Sequence, residues 1–412
     1  MRVLFTTAWY PNRKVAGDGV FIQKHARAVA RFNNVAVLMV QTDVAVRGLR
    51  IEVETNPSQT FGPEGSLHEV LVYVPKTRFE VPVLTGLIRM YWLMAGYIKG
   101  YRYIKRQYWS GQRPEVCHVN VLTRAAGLPW LLGKLHGIPY IITEHWTRYA
   151  RPDAYPVSRM QHYFGRLFVR DAAYVCPVSL NLEQSMKKWQ LDNKHYTRIG
   201  NVVDTDLFTL PDHSSLLTPH SSFVQFVHVS WMRDPAKNIS GILRAFARLK
   251  AERQDWHLDL VGEGNDKETL IDYAHSLGLD DQVTFLPAQQ GEELVRTLQR
   301  HDAMVMFSNF ENQPVSILEA LSCGLPVIAT SIAAIPGMLA QKRGMTVEPL
   351  NEDQLLEVLR GFVEILNSRT PEQKNDTTLA ESRHEYVVTH HSPQVIGRRF
   401  DVLYQAARAS RH

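Results

Sequence analysis

Residues 307–337 read FSNFENQPVSILEALSCGLPVIATSIAAIPG. The apolar run that ends at Phe307 predicts the end of a buried strand, then a short polar turn, then a helix of about three turns. A Gly324-Leu325-Pro326 stop follows, and Val327 to Thr330 is a second buried strand. Pro314 suits the first helical position because its missing N–H would be unpaired there anyway, and Gly324 suits the exit because it tolerates positive φ. Two carboxylates bracket the segment: Glu311 in the turn, and Glu319 in the helix, one turn behind Val315 and Ser316. The free N–H groups and dipole at a helix start favour an anion. The pattern implies a phosphate over Val315 and Ser316, with Glu319 accepting hydrogen bonds from hydroxyls one turn deeper. A pyrophosphate with sugars at both ends fits that layout.

With 412 residues, 45% of them hydrophobic, the chain can bury sizeable cores, and its length favours two domains. Cys117, Cys176 and Cys323 show no paired spacing, which fits a reducing compartment and gives neither a zinc nor a disulfide framework. The opening MRVLFTTAWYP lacks the apolar core of a signal peptide and reads as a first strand. No stretch reaches the roughly 18 uninterrupted apolar residues of a membrane-spanning helix. The net charge of +5 is mild. It permits attraction to phosphorylated substrates or anionic lipid, and no nucleic-acid partner is expected.

Val3 to Ala8 predicts a strand, a loop ends at Gly17-Asp18-Gly19, and a helix follows that carries Val20, Phe21, Ala28 and Val29. Val35 to Gln41 completes a β-α-β unit and implies a parallel sheet. Between Val81 and Pro114 there is no Asp or Glu, while Arg89, Lys99, Arg102, Lys105, Arg106 and Arg113 are present. Apolar and tyrosine residues recur there at spacings of three and four, so one amphipathic helix is expected, and its basic, aromatic character suits either a sheet-packed or an interfacial helix. Val116 to Val121 and Pro139 to Thr143 are further strands around a helix from Ala125 to His136. Glu144 and His145 fall at a strand's carboxyl end, where open α/β sheets place ligands, with His118 a lesser candidate. Tyr174 to Ser179 is another strand, and Pro211 to Ser222 a loop without periodicity.

A second alternation begins at Phe223. A strand to Met232 leads into a turn with Lys237, and Asn238 is positioned to cap the helix after it. A cation at a helix start is electrostatically poor unless an anion is near, so Lys237 points to a phosphate. Leu258 to Val261 runs into Gly262-Glu263-Gly264, Val283 to Leu286 and Ala303 to Phe307 are strands, and Ser392 to Ala407 is a closing amphipathic helix.

The pair Glu311 and Glu319, on its strand-turn-helix-strand frame, resembles the E-x7-E element of the retaining GT-B glycosyltransferases, in particular glycosyltransferase family 4. It departs at Asn312 and Gln313, where the family more often has Gly-Phe. The resemblance extends to Gly19, to Thr143-Glu144-His145 as a T-x-H segment, to the linker Arg198 to Asp204, similar to IPNGVD with Gly200 in place of the Pro and Val202 in place of the Gly, and to the Val261-to-Gly264 V-G-x-G turn. It implies two Rossmann-like domains facing across a cleft: residues 1–199, completed by a helix over 390–412, and residues 200–389. It further implies transfer of a hexosyl group from a UDP- or GDP-sugar to a hydroxyl acceptor with retained configuration and without a metal or other cofactor. Glu311 would hold donor-sugar hydroxyls, Glu319 the ribose, His145 the acceptor or donor sugar, and Lys237 the diphosphate. Ser230, Gly262, Phe310, Asn312, Gln313, Pro314, Val315 and Ser316 would line the donor side. The family's Gly-Arg is Ser230-Trp231 here, so Arg233 is the candidate replacement for the arginine. A glycan or lipid-linked acceptor, and a cytoplasmic protein peripheral on the membrane through residues 87–109, complete the expectation. A nucleotide-sugar 2-epimerase and a non-catalytic sugar-nucleotide binding protein are the alternatives on the same frame.

Overall fold

The computed structural model describes residues 1–15, 17–46, 48–63, 65–76, 82–151, 156–211, 223–368 and 377–410. The expected Pro211–Ser222 loop therefore lies, beyond Pro211, outside the described residues, as does Val81. The chain divides into two compact units, Met1–Val202 with Pro393–His412, and Val203–Ser392.

The first unit runs β1 (Arg2–Thr7), α1 (Val20–Ala30), β2 (Asn34–Asp43), β3 (Glu52–Thr55), β4 (Gln59–Phe61), β5 (Gly65–Pro75) and α2 (Pro82–Tyr108). It continues through β6 (Val116–Asn120), α3 (Gly127–His136), β7 (Tyr140–Glu144), α4 (Arg159–Asp171), β8 (Tyr174–Pro177) and α5 (Leu180–Lys188). The sheet order is β3-β5-β2-β1-β6-β7-β8, with β4 also on β5. Its parallel strands are near-continuous apolar runs because both faces are covered. On one face Ile22, Ala26 and Val29 of α1 pack with Val3, Phe5 and Val37; on the other, Trp92, Leu93 and Tyr97 of α2 pack with Val40, Val72 and Val74. The parallel sheet agrees with the sequence. Strands β3 and β4 are antiparallel to β5 and were not anticipated.

The second unit runs β9 (Val224–Val229), α6 (Asp234–Lys237), α7 (Ile239–Glu252), β10 (Trp256–Val261), α8 (Lys267–Ser276), β11 (Val283–Leu286), α9 (Glu292–Gln299) and β12 (Ala303–Met306). Then come α10 (Val315–Ser322), β13 (Val327–Thr330), α11 (Ile335–Leu339), β14 (Gly344–Val347), α12 (Glu352–Asn367) and α13 (Thr378–His391). The six strands are all parallel in the order β11-β10-β9-β12-β13-β14. The last helix, α14 (Pro393–Ala409), belongs to the first unit, where Ile396, Phe400 and Tyr404 are buried in the core beneath α1.

Candidate active site

The carboxyl ends of β9 and β12 are neighbours in the second sheet, so the turns that follow them meet. The backbone locks them together: the N–H groups of Asn309 and Phe310 donate to the Ala236 carbonyl at 2.9 and 3.3 Å, and the Asn309 amide donates to Pro235 O at 3.2 Å. That contact brings Lys237, the last residue of α6, to Glu311, with Nζ 2.5 Å from Oε1. Two residues 74 apart in sequence thus form a partly buried ion pair. The cation at a helix start has a carboxylate as its counter-ion in this state, so its placement alone does not require a phosphate.

Helix α10 begins at Val315 with Pro314 as its N-cap, and it spans eight residues, about two turns. The expected first-position proline and three-turn length are both corrected: Pro314 has ψ 122°, outside the helical range, and Cys323 closes the helix one residue before Gly324. Gly324 adopts φ +77° as anticipated. No side chain caps the start of α10. Val315 and Ser316 are half-buried at that end, Glu319 is buried one turn on, and Asn312 and Pro314 are buried in the turn before it. Gln313 is half-buried and Phe310 sits at the border of exposure.

The cap of α7 is also corrected. Asn238 is in the left-handed conformation and makes no side-chain cap. Asp234 takes that place, accepting from the Ser240 N–H at 2.8 Å and the Ser240 hydroxyl at 2.7 Å, while its own N–H donates to Asp266 at 2.8 Å. The sequence carried that signal as an acid six positions before a serine. Arg233 and Trp231 are exposed on the same turn. Gly262 and Gly264 are required by close approach: a Cβ on Gly262 would lie 1.9 Å from the Ser230 carbonyl oxygen, and one on Gly264 2.2 Å from that of Met232.

Ser230 has a partner that sequence reading missed. His228, fully buried on β9, donates through Nδ1 to Val305 O at 2.8 Å, so its Nε2 accepts from the Ser230 hydroxyl at 2.7 Å. Burial, and secondarily the charge of Lys237, push His228 down to about 4, which keeps the ring neutral.

In the first unit, Gly19 is the left-handed N-cap of α1, and a Cβ there would fall 2.6 Å from the Trp9 carbonyl. Glu144 ends β7, fully buried, and accepts three N–H bonds, from Leu122, His145 and Trp146 at 2.8–2.9 Å. Burial raises its carboxyl to about 7 against the pull of those donors. His145 is half-buried, with Nδ1 3.1 Å from Asn201 Oδ1 and its ring against Phe21 and His25. Burial, and then the charge of His25, hold His145 well below the ordinary histidine range. His118 is structural: it is fully buried between the Tyr404 hydroxyl and Thr143 Oγ1, at 2.7 and 2.6 Å. The structure therefore assembles Lys237, Glu311, Ser230, Gly262 and the start of α10 in one unit, and Gly19 and His145 in the other.

Residues 34–202 match the model of the glycosyl transferase 4-like domain, and residues 226–375 match that of glycosyl transferases group 1. The chain belongs to the GT-B glycosyltransferases of family 4 type. Among its curated relatives, the lipopolysaccharide 1,6-galactosyltransferase of Escherichia coli K12 is 24% identical over 52% of this chain and 57% of its own length. The chain spans about half the length of the first curated relatives it matches. Sucrose-phosphate synthase from Thermosynechococcus elongatus has the same fold, with a TM-score of 0.74 at 16% identity over 99% of both chains. Anabaena HepE in complex with UDP-glucose has a TM-score of 0.71 at 14% identity, covering 98% of this chain and all of that one. Both units of this family member are thus Rossmann-like domains of the GT-B fold.

Proposed function

We propose that this protein transfers a hexosyl group from a nucleotide diphosphate sugar to a hydroxyl acceptor with retention of anomeric configuration. The observation that carries the reading is the Lys237–Glu311 pair beside the uncapped start of α10, with Glu319 buried one turn behind. As the glycosidic bond breaks, charge develops on the leaving diphosphate. Lys237, the exposed Arg233 and the N–H groups of Val315 and Ser316 are the groups assigned to stabilise it. Glu311 then serves two partners, orienting Lys237 and accepting from sugar hydroxyls, with Phe310, Asn312, Gln313 and Pro314 shaping the turn around the sugar. Glu319 is assigned the ribose. The neutral His145 is assigned to the hydroxyls beside the reacting carbon, and Gly19 admits the ligand to the α1 start. Ser230 has committed its proton to His228, so it meets the donor as an acceptor, and Gly262 leaves it room.

No metal or other cofactor is assigned, since the cationic side chains and N–H groups supply the positive charge. The donor is a UDP- or GDP-sugar, and UDP is supported by the nucleotide in HepE. The acceptor is a glycan or lipid-linked saccharide, as the galactosyltransferase relative suggests. The protein works at the cytoplasmic membrane face, held there by residues 87–109; among the described residues no helix is long and apolar enough to cross a membrane. The test is a panel of labelled UDP- and GDP-sugars with and without saccharide acceptors, in excess chelator. Transfer with retained configuration supports the reading; an isomerised donor without acceptor would mean an epimerase, and binding without product a binding protein.

A further inference from the structure

Helices α2, α3 and α4 cover the same face of the first sheet, where Trp92 and Leu93, Leu128 and Leu132, and Val169 share one core. Their inner faces are accounted for. Their outer faces are not those of an ordinary solvated layer. On α2, Leu84, Leu87, Met90, Tyr91 and Ile98 are exposed; on α3, Leu135 is 64% exposed; and on α4, Met160, Tyr163 and Phe164 are exposed, the first two at 66% and 65%. Scattered apolar residues on a surface need no explanation, but a run of them across three adjacent helices marks an interaction site.

The charges of that layer are one-sided. Helix α2 has no acid, and neither does α3. Helix α4 has only Asp171, which is occupied by Lys134 at 3.0 Å and Arg170 at 2.9 Å. Arg159, Arg166 and Arg170 recur on α4 at helical spacings of seven and four, beside a groove of about 500 Å³ that also takes in Tyr163, His162 and a single carboxylate, Asp192, so cations outnumber acids there three to one. A second groove, of about 700 Å³ on α2, is lined by Tyr91, Ile98, Lys99, Arg102 and Arg106.

We infer that α4, with Leu135 of α3, extends the basic face of α2 into one docking surface for an anionic lipid bilayer. Cations interleaved with aromatic and aliphatic side chains suit the headgroup boundary, where the charges meet anionic lipid and the apolar tips enter the acyl region. A second copy of this chain would set like charges against each other. A nucleic acid would leave Leu84, Leu87, Met90 and Leu135 without a complementary surface. The inference takes up the membrane face proposed for α2 and adds a second arm to it; it does not depend on the transferase reading, and transferase assays are not part of its test.

The experiment is co-sedimentation of the full chain with vesicles of pure phosphatidylcholine and of phosphatidylcholine with about one third phosphatidylglycerol. Changing Arg159, Arg166 and Arg170 together to Gln should weaken partition onto the anionic vesicles about a hundredfold, at roughly fivefold per cation. A second measurement needs no charge change. The native cysteines are all buried, so Tyr163→Cys and, as a control on the other face, Val402→Cys each offer one exposed thiol for an environment-sensitive fluorophore. Anionic vesicles should blue-shift and brighten the probe at 163 and leave that at 402 unchanged. The proposal is overturned if the Arg159/Arg166/Arg170 variant partitions like the parent while an α2 variant does not, if both probes respond alike, or if neutral vesicles bind equally well. It is also overturned if the face captures DNA or a second copy and leaves vesicles alone.

Discussion

Replacing Lys237 by Ala tests the centre of the proposed site. The change removes a cation 2.5 Å from Glu311, whose side chain is 9% exposed against 21% for the lysine. Breaking a fully buried pair costs about 3–5 kcal/mol because a charge is left uncompensated, and an exposed pair is worth about 0–1. This pair lies between those limits, so about 2 kcal/mol of stability should be lost, roughly 4–8 °C in Tm for a domain of this size. In turnover the loss should be larger in consequence. If the ammonium meets the leaving diphosphate, kcat/KM should fall at least tenfold, about 1.4 kcal/mol or more of transition-state stabilisation. The double variant Lys237→Ala with Glu311→Gln separates the two effects: it should recover much of the Tm, since no orphan carboxylate remains, and recover no activity. Calorimetry and initial rates with the best donor in the panel are the assays. A Lys237→Ala protein with unchanged kcat/KM and unchanged affinity for nucleoside diphosphate would refute the diphosphate role and leave the pair as a structural tie.

Other expectations follow from the same geometry. Glu319→Gln should weaken donor binding about tenfold or more, through loss of a charge-assisted bond of about 1.5–3 kcal/mol, with far-UV dichroism unchanged; equal affinity measured by titration calorimetry would refute it. Gly262→Ala should destabilise by about 1–3 kcal/mol, because the new methyl collides with the Ser230 carbonyl; an unchanged urea midpoint would contradict the packing. His228 titrates near 4 when folded and near 6.5 when unfolded, so the unfolded chain binds more protons between those values. Its contribution is therefore fully present above about pH 6.5 and is lost as pH falls through about 4. Urea unfolding at pH 7 and pH 5 should show the His228→Gln protein losing about 2 kcal/mol less than the parent over that interval.

Much of the fold was legible because buried parallel strands are contiguous apolar runs, and Val283–Leu286 and Val327–Thr330 were placed residue for residue. Strands β3 and β4 escaped because they are short, lie at a sheet edge and bury none of their residues fully, so Glu52–Thr55 and Gln59–Phe61 carry little apolar signal. Within the proposed site, the sequence by itself marked Glu311, Glu319, Lys237 and the two glycines after β10, since turn chemistry and a helix start are local properties of the chain. It could not show that Lys237 and Glu311 are partners, that Asp234 rather than Asn238 caps α7, or that His228 takes the Ser230 proton. Those facts depend on strands β9 and β12 lying side by side, and strand order is decided by which apolar faces pack together across long stretches of chain. Local periodicity fixes what each segment becomes, whereas the partner of a charged side chain is fixed only when the packed sheet brings distant turns within hydrogen-bonding reach.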